Sequence, residues 1–142
     1  MKVAVIGAGG WGTALALILH SNKNEVLIWE FVQAYAEELK QKRENVKFLK
    51  GVKIPEDIEI TNDLKRAVDF AEVIVLAVPS HVMRSLAGSI KKLNYKKKIF
   101  VSVAKGIEQD TLKTMSAVLR QVLGPVQFAA LSGPSHAEEV GR

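Results

Sequence analysis

Runs of β-branched and other apolar residues alternate along the whole chain with segments in which apolar residues recur every three or four positions. The first pattern is typical of strands buried on both faces, and the second is typical of amphipathic helices. Six strands are predicted, over residues 3–6, 26–29, 58–61, 73–78, 99–103 and 128–131. Strands that alternate with helices favour an α/β fold with a doubly wound, mainly parallel, Rossmann-like sheet that has helices on both faces.

Five helices are predicted between these strands. The first has one apolar stripe, formed by Trp11, Ala14, Leu15, Ile18 and Leu19. The second covers residues 33–43 and a short third covers 63–70, while the fourth is capped by Ser80 and runs to about residue 92. The fifth is capped by Asp110 or Thr111 and ended by Gly124, with a buried side formed by Leu112, Met115, Leu119, Val122 and Leu123. Residues 44–57 have no strong period and are interpreted as an irregular connection.

The end of the chain has the spacing of another helix start. Ser135 and Glu138 fit the S-x-x-E capping box, in which the two side chains satisfy backbone donors reciprocally. A helix that begins there would stop at Arg142 after only about two turns. We therefore expect residues 1–142 to be one domain of a longer protein.

Composition excludes several classes of protein and site. The chain has 142 residues, 48% of them apolar and 25% charged, which is typical of a globular domain. The absence of cysteine excludes disulfides, thiolate metal sites and a cysteine nucleophile. His20 and His81 have no acid or second histidine at ligand spacing, so no metal site is predicted.

The net charge of +5 suits an anionic small ligand as easily as nucleic acid. The lysines at 91–92 and 96–98 have no accompanying aromatic ladder and are interpreted as a solvated rim, so no nucleic-acid binding is expected. Four glycines interrupt the apolar N-terminal run, which therefore does not fit a signal peptide. No stretch has the length of a membrane span, and we expect a soluble, cytoplasmic protein.

The most informative motif follows the first predicted strand. Gly7, Gly9 and Gly12 match G-x-G-x-x-G at the start of a helix, and a second strand ends at Glu30. In this context Gly7 permits a tight turn, Gly9 admits a pyrophosphate and Gly12 allows close helix packing. The Glu30 carboxylate can accept hydrogen bonds from a ribose and would repel a 2′-phosphate. The pattern predicts dinucleotide binding, with NAD favoured and NADP left open.

Further candidate residues follow later strands at the same edge of the sheet. The segment 78–80 (VPS) has the position of a ligand-binding turn, although proline is also routine at a helix start. Lys105 could contact an anionic substrate, polarise a carbonyl, hold the carboxamide end of the cofactor or be a solvated loop lysine. Gly133 can bring its backbone close to an anion, and Ser135 can be a cap, a ligand contact or both. His136 is interpreted as structural.

Taken in order along the chain, several blocks resemble the bacterial NAD(P)-dependent glycerol-3-phosphate dehydrogenases. The blocks lie at 5–16 (VIGAGGWGTALA), 26–29 (VLIW), 43–45 (REN), 48–49 (FL), 78–80 (VPS), 102–108 (SVAKGIE) and 131–140 (LSGPSHAEEV). The resemblance implies reversible hydride transfer between NAD(P)H and dihydroxyacetone phosphate. The product, sn-glycerol 3-phosphate, supplies the phospholipid backbone. It also implies a helical C-terminal domain that is absent from this chain and that would allow a homodimer.

The same resemblance assigns roles to individual positions. Gly10, Trp11 and Ala137 contact the cofactor, and Lys105 contacts both cofactor and substrate. Gly133 and Ser135 belong to the substrate site. The general acid/base lysine is expected beyond residue 142. Phe31 departs from the pattern, because many bacterial members have an arginine there that holds the 2′-phosphate of NADP. This departure favours NAD.

Three alternatives remain open. Hydroxyacid and phosphogluconate dehydrogenases also join such a cofactor domain to a helical one, but they lack the combination of GWG and S-x-x-KGIE. A stand-alone NAD-binding, redox-sensing module would suit the short length, whereas the helix that begins near the end of the chain counts against it. A nucleic-acid-binding protein would bind random duplex with a steep salt dependence, which we do not expect at physiological salt.

Overall fold

The structure, a computed structural model, describes residues 1–133 and 136–141. The strands are β1 (Lys2–Ile6), β2 (Glu25–Trp29), β3 (Glu44–Asn45), β4 (Leu49–Lys53), β5 (Glu59–Thr61), β6 (Val73–Leu76), β7 (Ile99–Ser102) and β8 (Gln127–Ala130). The helices are α1 (Gly10–Ser21), α2 (Gln33–Lys42), α3 (Leu64–Phe70), α4 (Met83–Ile90), α5 (Met115–Leu123) and α6 (Ala137–Val140). All six predicted strands are present to within two residues at either end.

Six strands form one sheet in the order β5-β2-β1-β6-β7-β8, and every neighbouring pair is parallel. Ile6 at the end of β1 lies in register with Trp29 on one side and Leu76 on the other. When the six strands of this sheet are numbered in chain order, without β3 and β4, this is the 3-2-1-4-5-6 order of the Rossmann fold. The winding direction reverses between β1 and β6. The predicted fold class is confirmed.

Both faces of the sheet are covered, and successive side chains of a strand enter different cores. Ala4 and Ile6 pack with residues of α3, α4 and α5, whereas Val3 and Val5 pack with residues of α1 and α2. This arrangement explains why the central strands contain runs of apolar residues, as in the VAVI of β1 and the VIVL of β6, and do not alternate with polar ones.

Helix α1 fully buries only one residue of the predicted stripe, Ala14. Its buried positions are Gly12, Thr13, Ala14 and Ala16. The remaining members of the stripe, Trp11, Leu15, Ile18 and Leu19, are only partly buried. Small side chains allow the helix axis to approach the sheet closely, so the larger ones lie at the flanks of the contact.

The predicted irregular connection over residues 44–57 is wrong in part. Strands β3 and β4 pair there as a short antiparallel hairpin, separate from the main sheet. The buried residues of this segment include Asn45 and Leu49 in the hairpin and Ile54 directly after it. A two-residue strand whose buried position is an asparagine has no hydrophobic period, so the pattern could not indicate it.

Three helix starts also differ from the predictions. Helix α5 begins after Thr114, whose hydroxyl accepts the N–H of Ala117, so the predicted caps Asp110 and Thr111 are wrong. Leu112 is 72% exposed and lies outside the helix. Ser80 opens a 3₁₀ turn before α4 and makes no cap for it. His136 is the N-cap residue of α6, and the predicted cap Ser135 lies outside the described residues.

None of the helices described in residues 1–133 and 136–141 combines the length and the apolar character that a membrane crossing requires.

Candidate functional site

The glycine-rich turn lies at the switch point of the sheet, between the ends of β1 and β6. Gly7 has φ of +114°, and a Cβ at this position would stand 2.5 Å from the carbonyl oxygen of Ala77. A Cβ on Gly12 would stand 2.0 Å from the carbonyl oxygen of Gly7. These two distances leave no room for any side chain, which matches the tight turn and the close helix packing predicted from the motif.

The start of α1 is open to a ligand. Its N-cap residue, Gly9, makes no side-chain capping hydrogen bond, and among the described residues no heavy atom outside its two chain neighbours lies within 4 Å of where its Cβ would be. The first N–H groups of a helix have no acceptor within the helix, and the aligned peptide dipoles make this end positive. The residues present therefore fit a diphosphate group, which would supply the acceptor oxygens that the side chains do not.

Two other segments border the turn. The carbonyl oxygen of Phe48, just before β4, would lie 2.6 Å from a Cβ on Gly10, and the Ala137 side chain would lie 3.5 Å from it. Ala137, which the resemblance assigns to cofactor contact, therefore lies next to the glycine-rich turn. Asn45, for which no role is predicted from the sequence, reaches the same turn through a buried hydrogen bond to the Ala8 carbonyl oxygen. Asn45 belongs to the block at 43–45 (REN) that supports the family resemblance, and this was the signal in the sequence that could have indicated a role.

Glu30 and Phe31 follow β2 on the other side of the switch point. The Glu30 carboxylate accepts the N–H of Val32 at 3.0 Å, so it is held at the carboxyl end of the strand. Phe31 is 79% exposed, and its ring meets Trp29 edge to face at a centroid distance of 6.1 Å. The side chain that would face a ribose is thus acidic, and its neighbour is apolar and uncharged.

A second group of predicted residues meets in a cleft of about 590 Å³ at the ends of β7 and β8. Its lining includes Trp11, Lys105, Gly106, Thr114, Leu131 and Gly133. Lys105 is exposed in the loop after β7. The cleft therefore brings Lys105 and Gly133 together with Trp11 of the first helix, but Glu30 and Phe31 do not line it. Ser135 lies outside the described residues.

An ion pair fixes the far end of the Lys105 loop. Glu108 is only 9% exposed, and its two carboxylate oxygens accept hydrogen bonds from Nε and Nη2 of Arg84, each at 2.7 Å. The hydroxyl of Thr111 also donates to this carboxylate. The hydrogen bonds from Arg84, and then from Thr111, lower the pKa of Glu108 from 4.5 to about 2. No role for Arg84 or Glu108 is predicted from the sequence.

This lowered pKa predicts an acid-sensitive contribution to stability. A carboxyl with a folded pKa below its unfolded value stabilises the fold above pH 4.5, and the contribution is lost as the pH falls toward 2. Urea unfolding from neutral pH to about pH 3 should therefore show a steeper loss of stability in the wild type than in Glu108→Gln. Equal slopes for the two proteins would show that the pair does not contribute.

Within residues 1–133 and 136–141, no group of three histidine, aspartate or glutamate side chains is placed to hold a metal ion.

Comparison with known proteins agrees with this geometry. Residues 2–142 match the family described as NAD-dependent glycerol-3-phosphate dehydrogenase N-terminus. The chain is 50% identical over 144 residues to a curated glycerol-3-phosphate dehydrogenase (NAD(P)+) of Fusobacterium nucleatum subsp. nucleatum, and the match covers all of this chain and 43% of that protein.

Solved structures show the same likeness. The crystal structure of glycerol-3-phosphate dehydrogenase from Coxiella burnetii superposes with a TM-score of 0.92 at 31% identity, over 98% of this chain and 42% of that one. The Plasmodium falciparum glycerol-3-phosphate dehydrogenase superposes with a TM-score of 0.88 at 27% identity, over 99% and 43%. The chain thus spans less than half the length of these relatives. It belongs to the family of NAD-dependent glycerol-3-phosphate dehydrogenase N-terminal domains.

Proposed function

We propose that residues 1–142 are the dinucleotide-binding domain of a cytoplasmic glycerol-3-phosphate dehydrogenase. Such an enzyme interconverts dihydroxyacetone phosphate and sn-glycerol 3-phosphate with NAD or NADP. One observation supports cofactor binding above the others: α1 starts without a side-chain cap at the switch point of a 3-2-1-4-5-6 sheet, and no described atom outside the chain neighbours of Gly9 lies within 4 Å of its Cβ position. This is the position at which open α/β sheets bind dinucleotides.

Residues around the glycine-rich turn are proposed to bind the cofactor. Gly7 and Gly12 shape the backbone, and the amides from Gly9 onward donate to the diphosphate. The remaining contacts assigned to the cofactor are Gly10, Trp11, Glu30, Phe31, Lys105 and Ala137. Glu30 accepts hydrogen bonds from the adenosine ribose, because its carboxylate is already held at the end of β2.

The cleft at the ends of β7 and β8 is proposed to bind the substrate. Lys105 provides a positive charge there, Gly133 lines the same cleft, and Ser135 is assigned to this site from the resemblance alone. A nicotinamide held beside this cleft would supply the hydride. Lys105 orients the ketone and stabilises negative charge on its oxygen. We place the proton donor outside residues 1–142, so this chain alone should show almost no turnover.

ADP-ribose tests the cofactor assignment directly. Added to the wild-type chain, it should move the amide resonances of residues 8–12, because their N–H groups would donate to its diphosphate. Unmoved resonances at a large excess of ADP-ribose would overturn the proposed function.

Gly9→Ala separates binding from folding. In residues 1–133 and 136–141, no atom outside the two chain neighbours lies within 4 Å of the new methyl group, so the free energy of unfolding should stay within about 0.5 kcal/mol of wild type. The methyl group would occupy the space proposed for the diphosphate, and affinity for ADP-ribose should fall at least about tenfold. Gly88→Ala in α4, which also meets no atom within 4 Å, is the matched control and should bind normally. Normal affinity in Gly9→Ala would place the diphosphate elsewhere.

A further inference from the structure

Asn45 is a fully buried polar residue at the centre of a hydrogen-bond network, with 0% of its surface exposed. Its amide nitrogen donates to the carbonyl oxygen of Ala8 at 2.9 Å and to the hydroxyl of Thr13 at 2.7 Å. Its amide oxygen accepts the Tyr35 hydroxyl at 2.5 Å and the Phe48 N–H at 3.0 Å. Both donors and both acceptor positions of the side chain are used, so its orientation is fixed.

The bond to Ala8 acts on the glycine-rich turn itself. Ala8 lies between Gly7 and Gly9, and its carbonyl belongs to the same peptide group as the N–H of Gly9. The structure contains no cis peptide among the described residues, so these two groups point in opposite directions across the peptide plane. A carbonyl held by buried Asn45 therefore turns the Gly9 N–H away from Asn45.

The same side chain ties the turn to the β3–β4 hairpin and to α2. Phe48 follows β3, and its carbonyl oxygen would lie 2.6 Å from a Cβ on Gly10. Tyr35 lies on α2. Thr13, the other acceptor of the Asn45 amide group, is fully buried in the second turn of α1. The hairpin thus reaches the start of α1 through one side chain that contacts both the turn and the helix.

We propose that Asn45 is a positioning residue for dinucleotide binding, because it holds the Ala8–Gly9 peptide with its N–H facing the diphosphate. This inference rests on the proposed function. Asn45 itself touches no ligand and acts through the backbone of residues 8 and 9. An asparagine suits this task because it donates to the turn and accepts from the hairpin at the same time, which neither an aspartate nor a leucine can do.

Asn45→Ala tests this role, because it removes both donors and frees the Ala8 carbonyl. Affinity for ADP-ribose should fall at least tenfold, and the amide resonance of Gly9 should shift in the free chain while that of Gly88 in α4 stays in place. Tyr35→Phe is the matched control: it removes one hydrogen bond of the network but leaves both bonds to Ala8 and Thr13 intact. The affinity of Tyr35→Phe for ADP-ribose should stay within threefold of wild type, even though its free energy of unfolding is lower.

The outcomes separate this inference from the proposed function. A folded Asn45→Ala chain that binds ADP-ribose within threefold of wild type would overturn the role of Asn45. If that variant does not fold, Asn45→Asp decides by the same criterion, because it keeps the shape of the side chain and removes both N–H donors. Failure of wild-type chain to bind ADP-ribose would overturn the proposed function, whereas an unshifted Gly9 resonance in the variants would overturn only the positioning role.

Discussion

Gly12→Ala should destabilise the fold by about 3 kcal/mol or more and abolish binding of ADP-ribose. The new Cβ would stand 2.0 Å from the carbonyl oxygen of Gly7 and 3.2 Å from the Ala77 side chain. The Gly7 carbonyl oxygen is a backbone atom directly after β1, in the centre of the sheet. The clash can therefore be relieved only by moving β1 or helix α1. Urea unfolding measures the loss of stability.

The comparison with Gly9→Ala makes this prediction specific. Both substitutions add one methyl group to the same turn, but only the one at Gly12 meets backbone. Gly12→Ala should therefore lose stability and affinity together, whereas Gly9→Ala should lose affinity alone. A Gly12→Ala chain with wild-type stability would show that the helix can move away from the strand, and the assigned packing role of Gly12 would be wrong.

The sequence predicted the centre of the sheet because β1, β2 and β6 are buried on both faces. Such strands are nearly continuous apolar runs, as in the VIVL of β6, and they leave a signal that does not depend on distant contacts. The glycine-rich turn was predictable for a related reason. Its three glycines follow β1 at fixed spacing, and the conformation they permit is local.

Contacts between distant segments account for what the pattern missed. Asn45 is buried because its hydrogen bonds reach Ala8 and Thr13, more than thirty positions earlier in the chain. The start of α5 was misplaced for a similar reason. Thr111 donates its hydroxyl to Glu108 and caps no helix, and that carboxylate is held by Arg84 of another helix. The spacing of residues along the chain does not show that Asn45 bonds to Ala8 and Thr13, or that Arg84 bonds to Glu108.

The two halves of the proposed site also differ in how they are built. The part proposed to bind the diphosphate is the backbone of the glycine-rich turn, which Ala77, Phe48 and Ala137 border closely. The cleft with Lys105 lies on loops after β7 and β8, one of which is fixed by the Arg84–Glu108 pair. Because loops can present a charge to different substrates while the turn cannot vary, cofactor binding should tolerate fewer substitutions than the substrate cleft.

The wild-type chain should bind NADH at least about tenfold more tightly than NADPH. The Glu30 carboxylate, held by the Val32 N–H at the end of β2, would lie beside the 2′-position of the ribose and repel a phosphate there. Competition between the two reduced cofactors for the chain, followed by fluorescence, gives the ratio. Equal affinities would show that Glu30 does not face the ribose.

Phe31→Arg should narrow this preference by about tenfold, through tighter binding of NADPH. The Phe31 side chain is 79% exposed, so the substitution leaves the core intact and places a guanidinium next to Glu30. An arginine there can donate charge-assisted hydrogen bonds to a 2′-phosphate, whereas NADH offers it no such group. Phe31→Leu is the matched control, because it removes the ring contact with Trp29 without adding a charge. If leucine and arginine change the ratio of affinities equally, the aromatic ring and not the missing charge sets the choice of cofactor.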